Sequence, residues 1–355
     1  SEFDFREDDV YNERLYAIKY ETPDRKRYYR APNERDLANE KKVKQLVAKN
    51  IGSWQEQGLV PSMVIESGYN TDQVIRERGW THWNHLFNAR QLLINGLLVR
   101  NTLNANNKNA LPASIVALNK CTDFNSTLCR WDPSREDGGK QTFYNQAFNT
   151  MMNYVCRSLQ SIQRAWCFDI NQQIMRNGSL IKLVDARDVT QKCDYWITDP
   201  PYADAVNYHE LSEFFLAWDK RLLKEAFPDW YTDSKRILAV RGDEHFSQTM
   251  IDIYTNLTNH MPDDGMQVVM FTHSDPAVWA QLALIMWKSG LHVTAAWNIA
   301  TETDSGGLKD GNYVKGTVLL VLRKQKSDEM TFLDEIISDI RAEVRNQIAS
   351  MLALD

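Results

Sequence analysis

The sequence predicts an α/β protein in which a mainly helical amino-terminal region precedes an open, largely parallel sheet. Up to residue 176 most apolar residues recur with helical spacing, whereas from Ser179 onward short apolar runs alternate with helix-length segments. One of these runs, residues 195–198, ends in Asp-Pro-Pro-Tyr and leads into a helix-like segment. Because open α/β sheets bind ligands at the carboxyl ends of their strands, this junction is the predicted functional centre.

The composition is that of an ordinary globular protein. The chain has 355 residues, of which 43% are apolar and 25% charged, enough for two domains. Its formal charge of −6 means that nucleic-acid binding would depend on a local basic patch. The five cysteines form no CxxC pair, so neither a disulfide framework nor a metal site is predicted. With no signal peptide and no apolar stretch of membrane-spanning length, the sequence predicts a cytoplasmic protein without a membrane partner.

Two segments are predicted in the amino-terminal half. Residues 1–78 form a strand-and-helix region suited to target recognition, and residues 79–176 form a helical region. Their predicted elements are strands over 14–20 and 27–30, helices over 34–50, 110–120 and 142–165, a helix opened by residues 79–93, and irregular chain over 51–79 and 125–139.

A third predicted segment, residues 177–326, contains the sheet, and a fourth, residues 327–355, is one amphipathic helix that needs a partner surface. Apolar residues spaced by three and four predict the helix after Asp-Pro-Pro-Tyr, and Gly290 is a predicted helix end. The predicted elements are strands over 180–184, 195–198, 267–272, 292–299 and 317–322, and helices over 211–222 and 276–289.

Asp199, Pro200, Pro201 and Tyr202 have the functional groups needed to methylate an amino group on a nucleobase. Such a nitrogen is a weak nucleophile because its lone pair is delocalised into the ring. A carboxylate accepting one N–H and a fixed carbonyl accepting the other would pull it toward tetrahedral geometry. Asp199 and the Pro200 carbonyl supply these acceptors, Pro201 stiffens the loop, and Tyr202 stacks on a flipped-out base. The alternative is a purely structural Pro-Pro turn.

Longer stretches around this motif resemble one family of enzymes. The matching stretches are Leu211-Ser212-Glu213-Phe214-Phe215 downstream and Gly79-Trp80, 87–93, 126–132 and 185–187 upstream. They resemble the bacterial and archaeal adenine-specific DNA methylases that carry a DUF1156 domain. The resemblance runs from about residue 10 to residue 325.

The resemblance implies a Rossmann-like sheet and a DNA N6-adenine methyltransferase that uses S-adenosyl-L-methionine (SAM). Such enzymes belong to restriction-modification or phage-defence systems, and their partner is double-stranded DNA. By this resemblance Asp199 and Tyr202 hold the target adenine, while Asp185, Ala186 and Asp199 are the cofactor-binding positions. The alternative for Asp185 is a solvated carboxylate at a strand end.

Three residues outside the motif are candidates for contact with DNA. Trp80 and Arg90 lie at the start of a predicted helix, where an indole could stack on a base and a guanidinium could meet a phosphate. Tyr208 follows the motif closely enough to form a wall of the pocket. The alternative for Trp80 and Tyr208 is ordinary packing.

The glycine loop that binds the methionine part of SAM in such enzymes is not found. None of the fifteen glycines follows a predicted strand in a Phe-x-Gly-x-Gly arrangement. In the resembled family this loop precedes the stretches seen here. We therefore expect either a split enzyme, completed by a polypeptide that carries the loop, or a fragment of a longer chain. The strand before Asp199 would then be an exposed, apolar sheet edge.

Two other functions stay open at this point. One is methylation of a different amine, such as N4 of cytosine, an RNA base or a protein glutamine, although Asp at the first motif position favours adenine. The other is a non-catalytic DNA-binding or assembly subunit. The absent glycine loop favours that function, whereas the intact Asp199 and Tyr202 oppose it.

Overall fold

The computed structural model divides the chain into two compact units that alternate along the sequence. The first contains Ser1–Val184 and Ala203–Gly242, and the second contains Asp185–Tyr202 and Asp243–Asp355. The described residues are 13–105, 110–132, 134, 138–144, 147–149, 153–167, 179–201, 207–229, 231–234, 240, 244–300, 316–326 and 332–352. The units do not follow the four predicted segments, because the strand before Asp199 and the helix after it fall in different units.

The first unit contains a two-stranded ribbon and, among its described residues, six α-helices. Strands β1 (Ile18–Glu21) and β2 (Arg27–Arg30) pair antiparallel and confirm the predicted strand pair, although β1 begins four residues later than predicted. The helices are α1 (Glu34–Glu56), α2 (Asp72–Arg78), α3 (Ala89–Leu103), α4 (Leu111–Asp123), α5 (Leu159–Trp166) and α6 (Tyr208–Ala226).

Local caps explain where several of these helices begin and end. The Asn33 side chain accepts the Asp36 N–H while the Asp36 carboxylate accepts the Asn33 N–H, and Asn88 forms the same reciprocal pair with Gln91. Gly79 ends α2 in the left-handed conformation, with φ of 62°. The region predicted to be irregular, residues 51–79, therefore contains the end of α1 and all of α2.

An aromatic cluster buries the apolar face of α6 inside the first unit. The ring of Phe87 lies 5.6 Å from that of Phe214 and 5.0 Å from that of Trp218, and Trp83 meets Phe214 edge-on. Trp83, Phe214 and Trp218 are at most 2% exposed. Burying side chains of this size contributes about 2–3 kcal/mol each, so the helix that follows the motif is firmly anchored here.

The second unit is built around a four-stranded mixed sheet. Its strands are β3 (Tyr195–Thr198), β4 (Met266–Phe271), β5 (Leu291–Ile299) and β6 (Thr317–Lys324), and its helices are α7 (Phe246–Asn259), α8 (Pro276–Lys288) and α9 (Leu333–Leu352). The strand order is β3-β4-β6-β5, in which β3 and β4 are parallel and β6 is antiparallel to both of its neighbours. The predicted combination of helices and a sheet is confirmed, but the prediction of a largely parallel sheet is wrong for the described strands, because only one of their three pairings is parallel.

The two faces of the sheet differ in how they are covered. One face carries Gln267, which bonds to Thr258 of α7, and Phe271, which packs against Trp279 of α8. Strand register places Tyr195, Ile197 and Trp297 on the other face, where they are 64%, 70% and 65% exposed. In the described part of the chain, β3 is an edge strand and this second face is apolar and open.

The predicted tail helix is present as α9. Its apolar stripe, which includes Ile340, Val344 and Ile348, is between 46% and 51% exposed. No described helix is both long enough and apolar enough to cross a membrane.

The helix predicted over residues 142–165 is wrong except at its end, since α5 covers only Leu159–Trp166. The backbone before α5 is engaged elsewhere: Tyr154 bridges Arg130, and the Thr142 N–H donates to the Asp123 carbonyl. Tertiary hydrogen bonds therefore replace the helical ones that the local pattern favoured.

The strand predicted over residues 180–184 is also wrong. The described chain offers it no neighbouring strand, and its apolar side chains are between 44% and 69% exposed. A strand needs a partner for its backbone groups, and none of the described strands pairs with this segment. In contrast, α7 was not predicted, although Phe246, Met250, Tyr254 and Leu257 recur at spacings of four and three.

Candidate active site

Asp199 follows the last residue of β3 directly, at the carboxyl end of the parallel pair β3-β4. The Asp199 side chain is exposed, Pro200 is buried and Pro201 is exposed. Tyr202 lies outside the described residues. Because Asp199 is exposed, its carboxylate can accept hydrogen bonds from a ligand, and the adjoining Pro200 restricts the backbone that follows it.

A tyrosine on α7 holds the end of β3 just before Asp199. The Tyr254 hydroxyl lies 3.0 Å from Oγ1 of Thr198, and Tyr254 is 1% exposed. Burial, together with the nearby Asp199 carboxylate, raises the pKa of Tyr254 to about 12, although the hydrogen bond with Thr198 acts in the opposite direction. The hydroxyl is therefore neutral at every working pH and stays available for the hydrogen bond to Thr198.

Asp185 is the cap of a short 3-10 turn, Ala186–Asp188, rather than the end of a strand. Its Oδ1 accepts the Arg187 N–H at 2.9 Å, and its Oδ2 accepts from Nη2 of Arg187 at 2.7 Å. The hydrogen bonds from Arg187 lower the pKa of the Asp185 carboxyl. With the two bonds from Nε of Arg187, the carboxylate accepts four hydrogen bonds, so it is an ion-paired group that a further donor would have to share with Arg187.

The same helix also holds this turn. Nδ2 of Asn256 donates to the carbonyls of Ala186 and Val189, both at 2.9 Å. Tyr254 and Asn256 lie two residues apart on α7, so one helix fixes both the Asp185 turn and the Asp199 strand end. The sequence did not point to either side chain, because the Thr198–Tyr254 contact spans 56 residues. Only the apolar spacing of α7 could have signalled the helix.

The three candidate DNA contacts lie in the first unit. Trp80 is partly buried against the core, and the Arg78 guanidinium lies 5.4 Å from its ring, which favours the packing alternative. Arg90 bonds through Nε to Oε1 of Glu40 at 2.7 Å, which ties α3 to α1. Tyr208 is the first residue of α6 and is 61% exposed. Of the three, Tyr208 is the most accessible to a ligand.

The stretch 126–132 has a clear structural role. The hydroxyl of Ser126 lies 2.6 Å from that of Thr142 and 3.7 Å from Sγ of Cys129, and all three residues are buried. The guanidinium of Arg130 and the ammonium of Lys140 each lie 4.6 Å from the ring centre of Tyr144. These contacts organise the irregular chain between α4 and α5.

The side chains at the two candidate positions are hydrogen-bond acceptors, which a nucleoside could engage through its hydroxyl and amino groups. Carboxylates such as Asp185 and Asp199 accept from hydroxyl and amino groups, whereas the sequence has no Phe-x-Gly-x-Gly loop. The described residues contain no group of three His, Cys, Asp or Glu placed to hold a metal ion.

The chain matches no family model, no curated protein and no solved structure.

Proposed function

We propose that this chain supplies the acceptor-base part of a SAM-dependent DNA N6-adenine methyltransferase of a restriction-modification or phage-defence system. The observation that carries the proposal is the position of Asp199-Pro200-Pro201 directly after a strand that pairs in parallel with β4. Open α/β sheets bind their ligands at this end. The added antiparallel strand is compatible with a doubly wound sheet, in which such strands are common.

The proposed chemistry depends on positioning rather than on a general base. The Asp199 carboxylate accepts one N–H of the adenine amino group, and the Pro200 carbonyl accepts the other. When bound, SAM supplies an electrophilic methyl group, and Asp185, Ala186 and Asp199 are proposed to hold its nucleoside. Transfer of that methyl group to the amine would form the new N–C bond and break the C–S bond. The nitrogen then loses a proton to water, because methylation makes its N–H acidic.

Two features of the second unit support a partner polypeptide that carries the glycine loop. Among the described strands, β3 lies at the edge of the sheet although it pairs in parallel with β4, and parallel strands are normally buried on both sides. The open face beside it exposes Tyr195, Ile197 and Trp297. A polypeptide that adds a strand to β3 and covers this face would pair the free edge and bury the exposed apolar side chains.

Transfer of labelled methyl groups to DNA, followed by digestion to nucleosides, tests the proposal. The chain is assayed alone and with the polypeptide encoded directly upstream. Label in N6-methyladenine that depends on the upstream polypeptide is expected. Label in N4-methylcytosine would instead identify cytosine as the base that is methylated. Absence of label with the partner, in an assay validated with a known adenine methyltransferase, would contradict the proposal and favour an assembly subunit.

Variants identify the residue that carries the activity. Asp199→Ala is expected to lower the rate by at least about 100-fold, because it removes a preorganised acceptor. Asp229→Ala is the matched control, since Asp229 is an exposed carboxylate in the first unit. Equal activity of the two variants would contradict the assigned role of Asp199.

A further inference from the structure

The two faces of the ribbon β1-β2 differ in what they contact. On one face, which carries Lys19 and Tyr29, the ring of Tyr29 packs against Trp131 with ring centres 5.3 Å apart. The register places Tyr20, Tyr28 and Arg30 on the opposite face, here called the open face. All four residues of β2 are exposed, Tyr28 and Tyr29 almost equally, whereas Tyr20 on β1 is half-buried.

The open face of the ribbon is aromatic and cationic. The rings of Tyr20 and Tyr28 are stacked, with centres 5.4 Å apart, and the Arg30 guanidinium lies 5.1 Å from the centre of the Tyr20 ring. Tyr28 is 48% exposed. Residues 13–30 contain six Lys or Arg and three Asp or Glu, whereas the whole chain has a charge of −6. Lys26, Arg27 and Arg30 form ion pairs with Asp24, Glu21 and Asp36, so the ribbon is a weakly basic patch on an acidic protein.

The tip of the ribbon carries an arginine in a strained conformation. Arg25 has φ of 62°, and it is the one non-glycine residue with positive φ in the described part of the chain. Its N–H closes the turn on the Thr22 carbonyl at 2.9 Å, a bond that glycine could make equally well. Folding alone does not explain an arginine where a glycine would relieve the strain.

We infer that this ribbon contacts double-stranded DNA, with Arg25 at a phosphate and the Tyr20-Tyr28-Arg30 face against the groove. A two-stranded ribbon fits the major groove, which is about 12 Å wide. The inference rests on the proposed function, because it takes the DNA substrate as the partner. Cross-strand stabilisation alone would explain the Tyr20–Tyr28 pair but not the strained Arg25 at the tip.

Fluorescence anisotropy with a labelled duplex over a series of salt concentrations tests the inference. Arg25→Gly is expected to raise the Kd roughly fivefold and to lower the slope of log K against log salt by about 1. Its melting temperature should not fall, because glycine adopts this conformation without strain. Arg25→Lys should restore most of the affinity, since a cation returns to the tip.

Lys326→Gly is the matched control, because it removes an exposed cation from a loop of the second unit. This control should leave Kd and slope unchanged. If Arg25→Gly binds like the wild type, the ribbon assignment is overturned, while adenine methylation is judged separately by the nucleoside assay. Absence of duplex binding by the wild type, or a preference for single strands or RNA, would also overturn it.

Discussion

At the scale of single residues, Glu210 on α6 holds a loop of the first unit. Its Oε1 accepts the Tyr69 N–H at 3.1 Å and its Oε2 accepts the Asn70 N–H at 2.7 Å, and the side chain sits in a buried position, 4% exposed. A buried carboxylate needs such donors to compensate for its lost hydration. The chain passes so close at Gly68 that a Cβ there would lie 2.3 Å from Oε1 of Glu210.

This close approach predicts opposite effects for two Gly→Ala changes. Gly68→Ala should lower the free energy of unfolding by about 2 kcal/mol, because the new methyl group displaces the Glu210 carboxylate. Gly52→Ala lies inside α1 with no atom within 4 Å of the new Cβ, and should stabilise by about 1 kcal/mol. Urea unfolding of both variants measures the two changes. Equal effects would contradict the Glu210 contact.

At the scale of elements, α7 serves as a common support for both candidate positions in the second unit. Tyr254 bonds to the end of β3, and Asn256 bonds to the turn that follows Asp185. Each hydrogen bond is worth only about 1 kcal/mol, but together they limit how far either carboxylate can move. An active site needs contacts of this kind, in which residues behind the ligand-binding side chains hold them in place.

Loss of the Asn256 amide should loosen the Asp185 turn without unfolding the unit. Asn256→Ala removes two hydrogen bonds, so amide hydrogens within residues 186–190 should exchange about tenfold faster. Hydrogen exchange followed by mass spectrometry gives this rate. Asn259→Ala is the control, because Asn259 is exposed on the same helix. Unchanged exchange in Asn256→Ala would show that α7 does not support the turn.

At the scale of the whole molecule, the exposed edge and open face of the second unit form an apolar surface. Ile197 is 70% exposed on β3, and Trp297 is 65% exposed on β5. Soluble chains seldom leave an apolar sheet face of this kind open, because it promotes association. The surface can therefore cause the isolated chain to self-associate, and the same surface is the one proposed to bind a partner.

A lysine on the edge strand should suppress self-association. Ile197→Lys is expected to lower the mass measured by light scattering at tens of micromolar, because a charge on β3 opposes edge pairing. The melting temperature should change little, since Ile197 is mostly exposed. Val116→Lys is the control, because Val116 on α4 is 62% exposed in the first unit. Association that persists in Ile197→Lys would exclude this edge as its cause.

The elements with strong local signals were predicted from the sequence. The short apolar run of β4 and the spacing of three and four in α6 led to correct elements within a few residues. The strand before Asp199 was predicted at its observed bounds, Tyr195–Thr198. The predicted helix over 142–165 and the strand over 180–184 failed because long-range pairing decides whether such segments form regular structure.

Local sequence is enough to predict that Asp199 follows a strand and precedes a helix, because both elements depend on residues close together in the chain. It does not predict that the helix is buried in the first unit through Phe214 and Trp218 while the strand belongs to the second, which follows from packing. The tertiary structure also determines that Tyr254 and Asn256 support the two candidate carboxylates. These contacts join residues far apart in sequence, so packing rather than local pattern selects them.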